Sequence, residues 1–139
     1  MPDDPNYPTA IHETGHAVIG RALGMNCGAV SIVVDDDSSG HSICADPWET
    51  ATTWDHKERY REISLVFRGR ILTYMAGAEA ERVILGEVGP GDGDDRYQIS
   101  RMADSDDCDF TPDQWSCREP RMRVMTACLS GGTDRQSRW

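Results

Sequence analysis

Basic side chains are scarce in this sequence. Its 139 residues contain 14 lysines and arginines against 24 aspartates and glutamates, so the formal net charge is −10 with neutral histidine. A protein that binds the phosphates of a nucleic acid needs a basic surface, which displaces the counterions condensed on the nucleic acid. No stripe of lysine and arginine occurs in the sequence. We therefore expect no nucleic-acid partner.

Long apolar runs are missing as well. No uninterrupted run approaches the roughly 20 residues that a membrane-spanning helix needs. The opening residues M-P-D-D-P-N lack the basic start and the apolar middle of a secretion signal. We therefore expect a cytoplasmic protein without a membrane span.

The cysteines also lack the paired spacing of a disulfide or zinc framework. The number of cysteines is odd, and no two of them are separated by two residues, so neither a disulfide framework nor a thiolate zinc ribbon is indicated. We expect small thiols that are buried or half-buried. The five are Cys27, Cys44, Cys108, Cys117 and Cys128.

The first part of the chain predicts a helix followed by a β-hairpin. Over residues 9–23, apolar residues and two histidines recur at steps of three or four, and Gly24 follows as a stop signal. Two runs then flank a S-S-G turn, the first rich in β-branched residues over 27–37 and the second short, over 41–45.

The rest of the chain predicts more helix. The longest helix is expected to begin at Thr52, and Gly69 and Gly77 inside it indicate either close packing against a neighbour or a kink. One face of this helix is apolar at steps of three or four. The residues of that face are Tyr60, Ile63, Phe67, Ile71, Tyr74 and Ala78.

A glycine-rich loop is expected over residues 86–95, with a helix beginning near Asp95 and a short helix from Pro120 to Leu129. These elements predict a predominantly helical α+β fold. We expect one domain over residues 1–129 and a disordered tail over residues 130–139.

The pentapeptide H-E-T-G-H, residues 12–16, indicates a metal site. Residues four apart lie one turn above each other on a helix, so His12 and His16 can bind one zinc ion at about 2.0–2.1 Å. Glu13 beside them can take a proton from an attacking water and return it to a leaving amine. The alternative is a chance pattern, which the helical setting disfavours because the motif works only on a helix.

A catalytic zinc site needs a third protein ligand and one open position. The residues directly after His16 offer no acid or histidine, so the best candidates are the loop carboxylates of Asp92, Asp94 and Asp95. Spacing does not choose among them. For Asp95 the alternative is a helix N-cap, and a calcium loop counted from Asp92 would put Arg96 at the fifth ligand position.

Two stretches resemble the peptidase domain of the FtsH-type AAA zinc metalloproteases. A-I-H-E-T-G-H-A-V-I-G is similar to the family's peptidase helix, and Y-M-A-G-A-E-A-E-R-V-I-L-G-E-V-G-P-G-D-G-D-D is similar to its second signature. The two occur in the family's order, and the resemblance covers roughly residues 9–103.

The resemblance implies a zincin-like metallopeptidase domain that holds one zinc ion. It implies His12, His16 and Asp95 as the zinc ligands and Glu13 as the catalytic residue. Glu81 falls on the first of the family's paired acids, where a buried carboxylate would orient a ligand imidazole through its other N–H.

The chain also departs from that family. Arg82 stands where the family has its second acid, no G-K-[ST] phosphate loop is present, and the family's helical region after the third ligand is shortened to the pattern of Pro120 to Leu129. We therefore expect no ATPase activity of its own. Substrates would be unfolded polypeptides or peptides, or would be delivered by a separate ATPase or other delivery partner. The sequence does not indicate the oligomeric state.

These patterns predict a zinc-dependent metalloendopeptidase without its own ATPase. One alternative is a non-proteolytic zinc-bearing module that binds or regulates proteins, which Glu13 disfavours because a structural site has no use for an acid there. Another is a protease of a different type that carries the same motif helix and cleaves one regulator. The position of the third ligand distinguishes that protease from an FtsH-type one.

Other residues are interpreted more simply. If residues 40–45 form an exposed edge strand, they could align an extended substrate through main-chain hydrogen bonds. Two histidines are interpreted as solvent-facing rather than oxyanion-stabilising, His41 and His56. Three aromatic residues are interpreted as core residues rather than cleft residues, Trp48, Trp54 and Tyr60.

Overall fold

The computed structural model describes residues 3–25, 27–33, 40–44, 63–105, 108 and 111–131. Within these ranges the fold is predominantly helical, with four helices and a two-stranded antiparallel sheet, so the predicted α+β class is confirmed. None of these helices combines the length and apolar composition that crossing a membrane requires. The elements are α1 (Tyr7–Ala22), β1 (Cys27–Ser31), β2 (His41–Cys44), α2 (Ile63–Leu85), a 3-10 turn (Pro90–Asp92), α3 (Gly93–Ala103) and α4 (Pro112–Gly131).

Helix α1 begins and ends close to the predicted positions. Pro8 lies in its first turn, where a missing N–H costs no intrahelical hydrogen bond. Gly24 follows the helix with φ of 77°, a left-handed conformation that glycine adopts without the strain of a Cβ. The predicted stop signal is therefore confirmed.

The predicted β-hairpin is confirmed for its two strands. β1 and β2 are antiparallel, with Ser31 opposite His41, and the register is irregular between Cys27 and Val30. The connecting residues 34–39 lie outside the described residues. His41 is exposed, as the sequence predicted.

Helix α2 is the central element and packs against α1, α3 and α4. Phe67 and Ile71 on its apolar face are fully buried, and they form the main core with α3 residues such as Ile99 and Met102. Burying side chains of this size is the main stabilising contribution in a domain of this length. The predicted helix start at Thr52 and the face residue Tyr60 lie outside the described residues.

Helix α4 begins eight residues before the predicted start at Pro120, so it is longer than predicted. The structure shows that Thr111 and Gln114 form a capping box at Pro112: the Thr111 N–H donates to Gln114 Oε1 at 3.0 Å, and the Gln114 N–H donates to Thr111 Oγ1 at 3.3 Å. Pro120 lies inside the helix and has no N–H to donate, so one backbone hydrogen bond is missing there. The helix nevertheless continues beyond it. The helix ends at Gly131, and residues 132–139 of the predicted tail lie outside the described residues.

Candidate metal centre

Three side chains from two helices converge on one point. His12 Nε2 lies 2.9 Å from Asp95 Oδ2, and His16 Nε2 lies 3.2 Å from the same oxygen. One potential ligand atom from each residue lies within 4.8 Å of the others, so the group could hold a metal ion. The fold thus brings Asp95 of α3 to the two histidines of α1.

Helix geometry places the two imidazoles side by side. His12 and His16 are one turn apart on α1, are both buried, and have ring centroids 4.7 Å apart at an interplanar angle of 81°. The backbone of α2 passes directly beneath them at Gly77. A Cβ on Gly77 would lie 2.5 Å from His12 Nε2 and 2.6 Å from His16 Nε2, so only glycine leaves room for both rings. Of the two interpretations of this glycine, close packing and a kink, the structure confirms close packing.

Each ring has a hydrogen-bond acceptor at Nδ1. His16 Nδ1 lies 2.7 Å from the Thr73 carbonyl oxygen, and His12 Nδ1 lies 2.6 Å from Glu81 Oε1. A carbonyl oxygen can only accept, so His16 must donate from Nδ1, and an ionised Glu81 imposes the same on His12. A neutral ring then presents its Nε2 lone pair towards Asp95, which is the arrangement of a metal-ligating histidine.

Glu81 also contacts the segment that leads to α3. Its second oxygen, Oε2, accepts the Gly89 N–H at 2.5 Å, and Gly89 directly precedes the 3-10 turn. Both oxygens of Glu81 therefore have a partner, and a carboxylate can accept from both. The buried Glu81 therefore connects His12 to the turn that positions Asp95.

The charges at the centre depend on each other. Burial favours the neutral His12 ring, but the hydrogen bonds and negative charges of Asp95 and Glu81 outweigh it and raise the pKa of His12 to about 9. Burial alone would raise the pKa of Asp95, yet hydrogen bonds from His12 and His16 lower it to about 2. Protons and a metal ion therefore compete for the Nε2 atoms beside an ionised carboxylate.

Glu13 lies beside the ligand group and against the hairpin. It is buried, and a Cβ on Gly40, just before β2, would lie 3.2 Å from Glu13 Cγ. Burial raises the pKa of Glu13, although the positive charges of His16 and His12 oppose that shift. A raised pKa gives this carboxylate the stronger proton affinity that a general base needs.

The other two loop aspartates stand apart from the histidines. Asp92 is the N-cap of α3 and pairs with Arg96 at 3.2 Å, and Asp94 is exposed. Asp95 is the third residue of α3, so it is not the N-cap that the alternative interpretation required. The calcium-loop alternative would place Arg96 at the fifth ligand position. In the structure Arg96 instead forms an ion pair with Asp92.

The donor set fits zinc. Tetrahedral bonds of about 2.0–2.1 Å place ligand atoms about 3.3 Å apart, and the two nitrogen-to-oxygen distances here are 2.9 and 3.2 Å. Two imidazole nitrogens with one carboxylate oxygen also form a ligand set that zinc accepts. The three side chains would therefore need to move apart only slightly to bind an ion.

Two contributors to the site were not predicted from the sequence, the Thr73 carbonyl and the Gly89 N–H. Both are backbone groups, so the identity of the residues at these positions does not indicate their role. His56, Trp48 and Trp54 lie outside the described residues.

Comparisons with protein-family models, curated proteins and solved structures found no match to this chain. The resemblance to FtsH-type peptidases therefore rests on the two motifs alone.

Proposed function

We propose that this chain is a zinc-dependent metalloendopeptidase with a zincin-like domain similar to the FtsH-type peptidase. The observation that carries the proposal is the meeting of His12, His16 and Asp95, together with the buried Glu13, which interacts electrostatically with all three. A structural site would gain nothing from that fourth, acidic side chain.

Zinc bound by these three residues would polarise the attacking water and the carbonyl of the peptide bond. Glu13 accepts the proton of the water and returns it to the leaving amine, which makes it the general base and then the general acid. Glu81 and the Thr73 carbonyl keep both imidazoles oriented with Nε2 towards Asp95. Asp95 carries the negative charge that favours a cation between the rings.

The hairpin supplies a surface for an extended substrate. β2 pairs with β1 along one edge, and its other edge has no strand partner among the described residues. The strand begins next to Glu13, as the close approach of Gly40 shows. A polypeptide added along this edge by main-chain hydrogen bonds would pass the catalytic carboxylate.

The sequence contains no phosphate-binding loop that could drive unfolding with ATP. We therefore propose peptides and unfolded polypeptides as substrates, with folded proteins requiring a separate ATPase or delivery partner.

The proposal is tested by measuring zinc content and cleavage of an unfolded protein on the same preparations. Glu13→Gln should keep zinc and lose at least 100-fold in cleavage rate, within the range that general-base catalysis contributes. Asp95→Ala should lose both zinc and cleavage. The exposed Glu87 provides a control, and Glu87→Gln should behave like the wild type.

Equal cleavage by the wild type and Glu13→Gln would contradict the enzymatic proposal. A wild type that binds zinc tightly and cleaves nothing would instead indicate the non-proteolytic zinc-bearing module.

A further inference from the structure

The hairpin places two of the five cysteines opposite each other. Cys27 begins β1 and Cys44 ends β2, and the antiparallel register makes these two residues direct partners. They are 17 positions apart in the sequence, so no spacing motif relates them. Their juxtaposition is therefore a product of the fold, and it was not predicted from the sequence.

Opposite residues of an antiparallel pair have the separation that a disulfide needs. Their Cα atoms lie about 4.5 Å apart in a non-hydrogen-bonded pair and about 5.5 Å apart in a hydrogen-bonded pair. The Cα atoms of disulfide-linked cysteines are usually about 4.4–6.8 Å apart. Either kind of pair satisfies this range, and opposite residues also belong to the same face of the sheet. The register of the hairpin thus permits a disulfide between Cys27 and Cys44.

The surroundings of the pair give a small reagent access. Cys27 is half-buried, and the next three residues of β1, residues 28–30, are exposed. The register is irregular between Cys27 and Val30, which is typical of a bulge that lets a strand bend locally. A two-stranded hairpin also has little stability of its own in water. A covalent link across its end would therefore change how firmly the two strands are held together.

We propose that Cys27 and Cys44 form a reversible thiol–disulfide site whose reactant is a low-molecular-weight disulfide. One cysteine thiolate attacks a sulfur of that disulfide, displaces one small thiolate and leaves a mixed disulfide on the protein. The other cysteine thiolate attacks the protein sulfur of the mixed disulfide and displaces the second small thiolate. The protein loses two electrons and two protons, and the reactant is reduced to two thiols.

Oxidation would fix the end of the hairpin that lies away from the connecting residues. Ser31 and His41 are partners at the connected end, and Cys27 and Cys44 are partners at the open end. A disulfide there closes a loop and reduces the conformational freedom of the opened hairpin. In a reducing compartment such a pair is a dithiol, and it is oxidised when the ratio of disulfide to thiol rises. The inference does not depend on proteolysis.

The test is peptide mapping by mass spectrometry, after the folded, zinc-loaded full chain has been treated with oxidised glutathione. Digestion next to the aspartates at residues 35–37, between the two cysteines, should yield one peptide pair linked through Cys27 and Cys44. Dithiothreitol should separate the pair again. Cys27→Ser and Cys44→Ser should instead carry glutathione on the remaining hairpin cysteine. Cys117→Ser removes an exposed cysteine of α4 and should form the hairpin link like the wild type.

Two further measurements connect the link to the fold. In the linked form, amide hydrogens of β1 and β2 should exchange more slowly than in the reduced form, by about tenfold or more. In urea the yield of the Cys27–Cys44 link should fall, because all five cysteines then compete. Zinc content should be the same before and after oxidation, since the ligand group His12, His16 and Asp95 includes no cysteine.

Three results would overturn the proposal. The first is wild-type protein in which the two hairpin thiols stay unmodified or carry glutathione separately. The second is a link from either of them to Cys108, Cys117 or Cys128 in place of the hairpin link. The third is an equal yield of the hairpin link from folded and urea-unfolded protein, because the register would then not be its cause. Circular dichroism of each serine variant establishes that a lost link is not a loss of folding.

Discussion

At the scale of single residues, the Glu81 carboxylate explains how His12 is held. Its two oxygens accept from His12 Nδ1 and from the Gly89 N–H, at 2.6 and 2.5 Å. An amide of the same length has only one oxygen, so its NH₂ group would face one of the two donors. The two contacts therefore require a side chain with two oxygens, and an amide of the same size does not replace it.

Glu81→Gln should weaken zinc binding by about 10- to 100-fold, the usual effect of removing a partner that orients a metal ligand. Glu81→Ala should weaken it at least as much, and Glu87→Gln serves as the exposed control. Competition with a chromophoric chelator measures the three affinities. Identical zinc affinity for Glu81→Gln and the wild type would show that the carboxylate does not position His12.

Zinc binding should release a proton from His12. With its pKa raised to about 9, chiefly by Asp95 and Glu81 against the effect of burial, His12 is charged at pH 7 and must lose its proton to bind metal. We expect about one proton per zinc ion at pH 7, and fewer as the pH rises past 9. Titration calorimetry in buffers of different ionisation enthalpy counts these protons. No proton release at pH 7 would contradict the charge state described for the site.

At the scale of elements, successive turns of α2 build one side of the metal centre. The Thr73 carbonyl holds His16, Gly77 makes room for both rings, and Glu81 holds His12. These positions follow each other at steps of four, so they lie on one face of the helix. A single helix thus fixes both histidines of another.

Gly77→Ala should lower zinc affinity at least 100-fold, although alanine favours an isolated helix by about 1 kcal/mol. The reason is steric, because the new methyl group would lie 2.5 Å from His12 Nε2. Gly93→Ala is the matched control, since nothing lies within 4 Å of its added Cβ and its backbone is helical. The same chelator competition distinguishes the two, and a Gly77→Ala protein with wild-type affinity would show that the close approach is not required.

The sequence predicts elements well where the signal is local. Helix α1 with Gly24, the hairpin strands and the close packing at Gly77 follow from periodicity and glycine positions. The predicted start of α4 at Pro120 is wrong because a capping box, the threonine and glutamine of T-P-D-Q at residues 111–114, begins the helix earlier. Thr73 and Gly89 act through backbone atoms, so their roles depend on tertiary packing that no local pattern contains.

At the scale of the whole molecule, the metal centre joins distant parts of the chain. His12 and Asp95 are 83 residues apart in sequence, and Glu81 of the central helix contacts both His12 and the Gly89 N–H in the segment that leads to Asp95. Forming these contacts closes a long loop of the chain, which costs conformational entropy. Because the pKa values of His12 and Asp95 are shifted in the folded protein, their protonation is linked to the stability of the fold.

After chelation of metal, stability should be highest between about pH 4 and 6.5. The pKa of His12 is raised from 6.5 to about 9, so its contribution is complete below pH 6.5 and is lost as the pH rises through 9. The pKa of Asp95 is lowered from 3.8 to about 2, so its contribution is present above pH 3.8 and is lost as the pH falls through 2. Urea unfolding as a function of pH measures both limbs. A stability that stays level from pH 6.5 to 9.5 would contradict the raised pKa of His12.

The most direct measurement is an anomalous-difference map from crystals of the zinc-loaded protein, recorded on both sides of the zinc absorption edge. We predict one ion within about 2.2 Å of His12 Nε2, His16 Nε2 and an Asp95 carboxylate oxygen. Zinc bound at other residues, or bound by the histidines with Asp95 out of reach, would contradict the account.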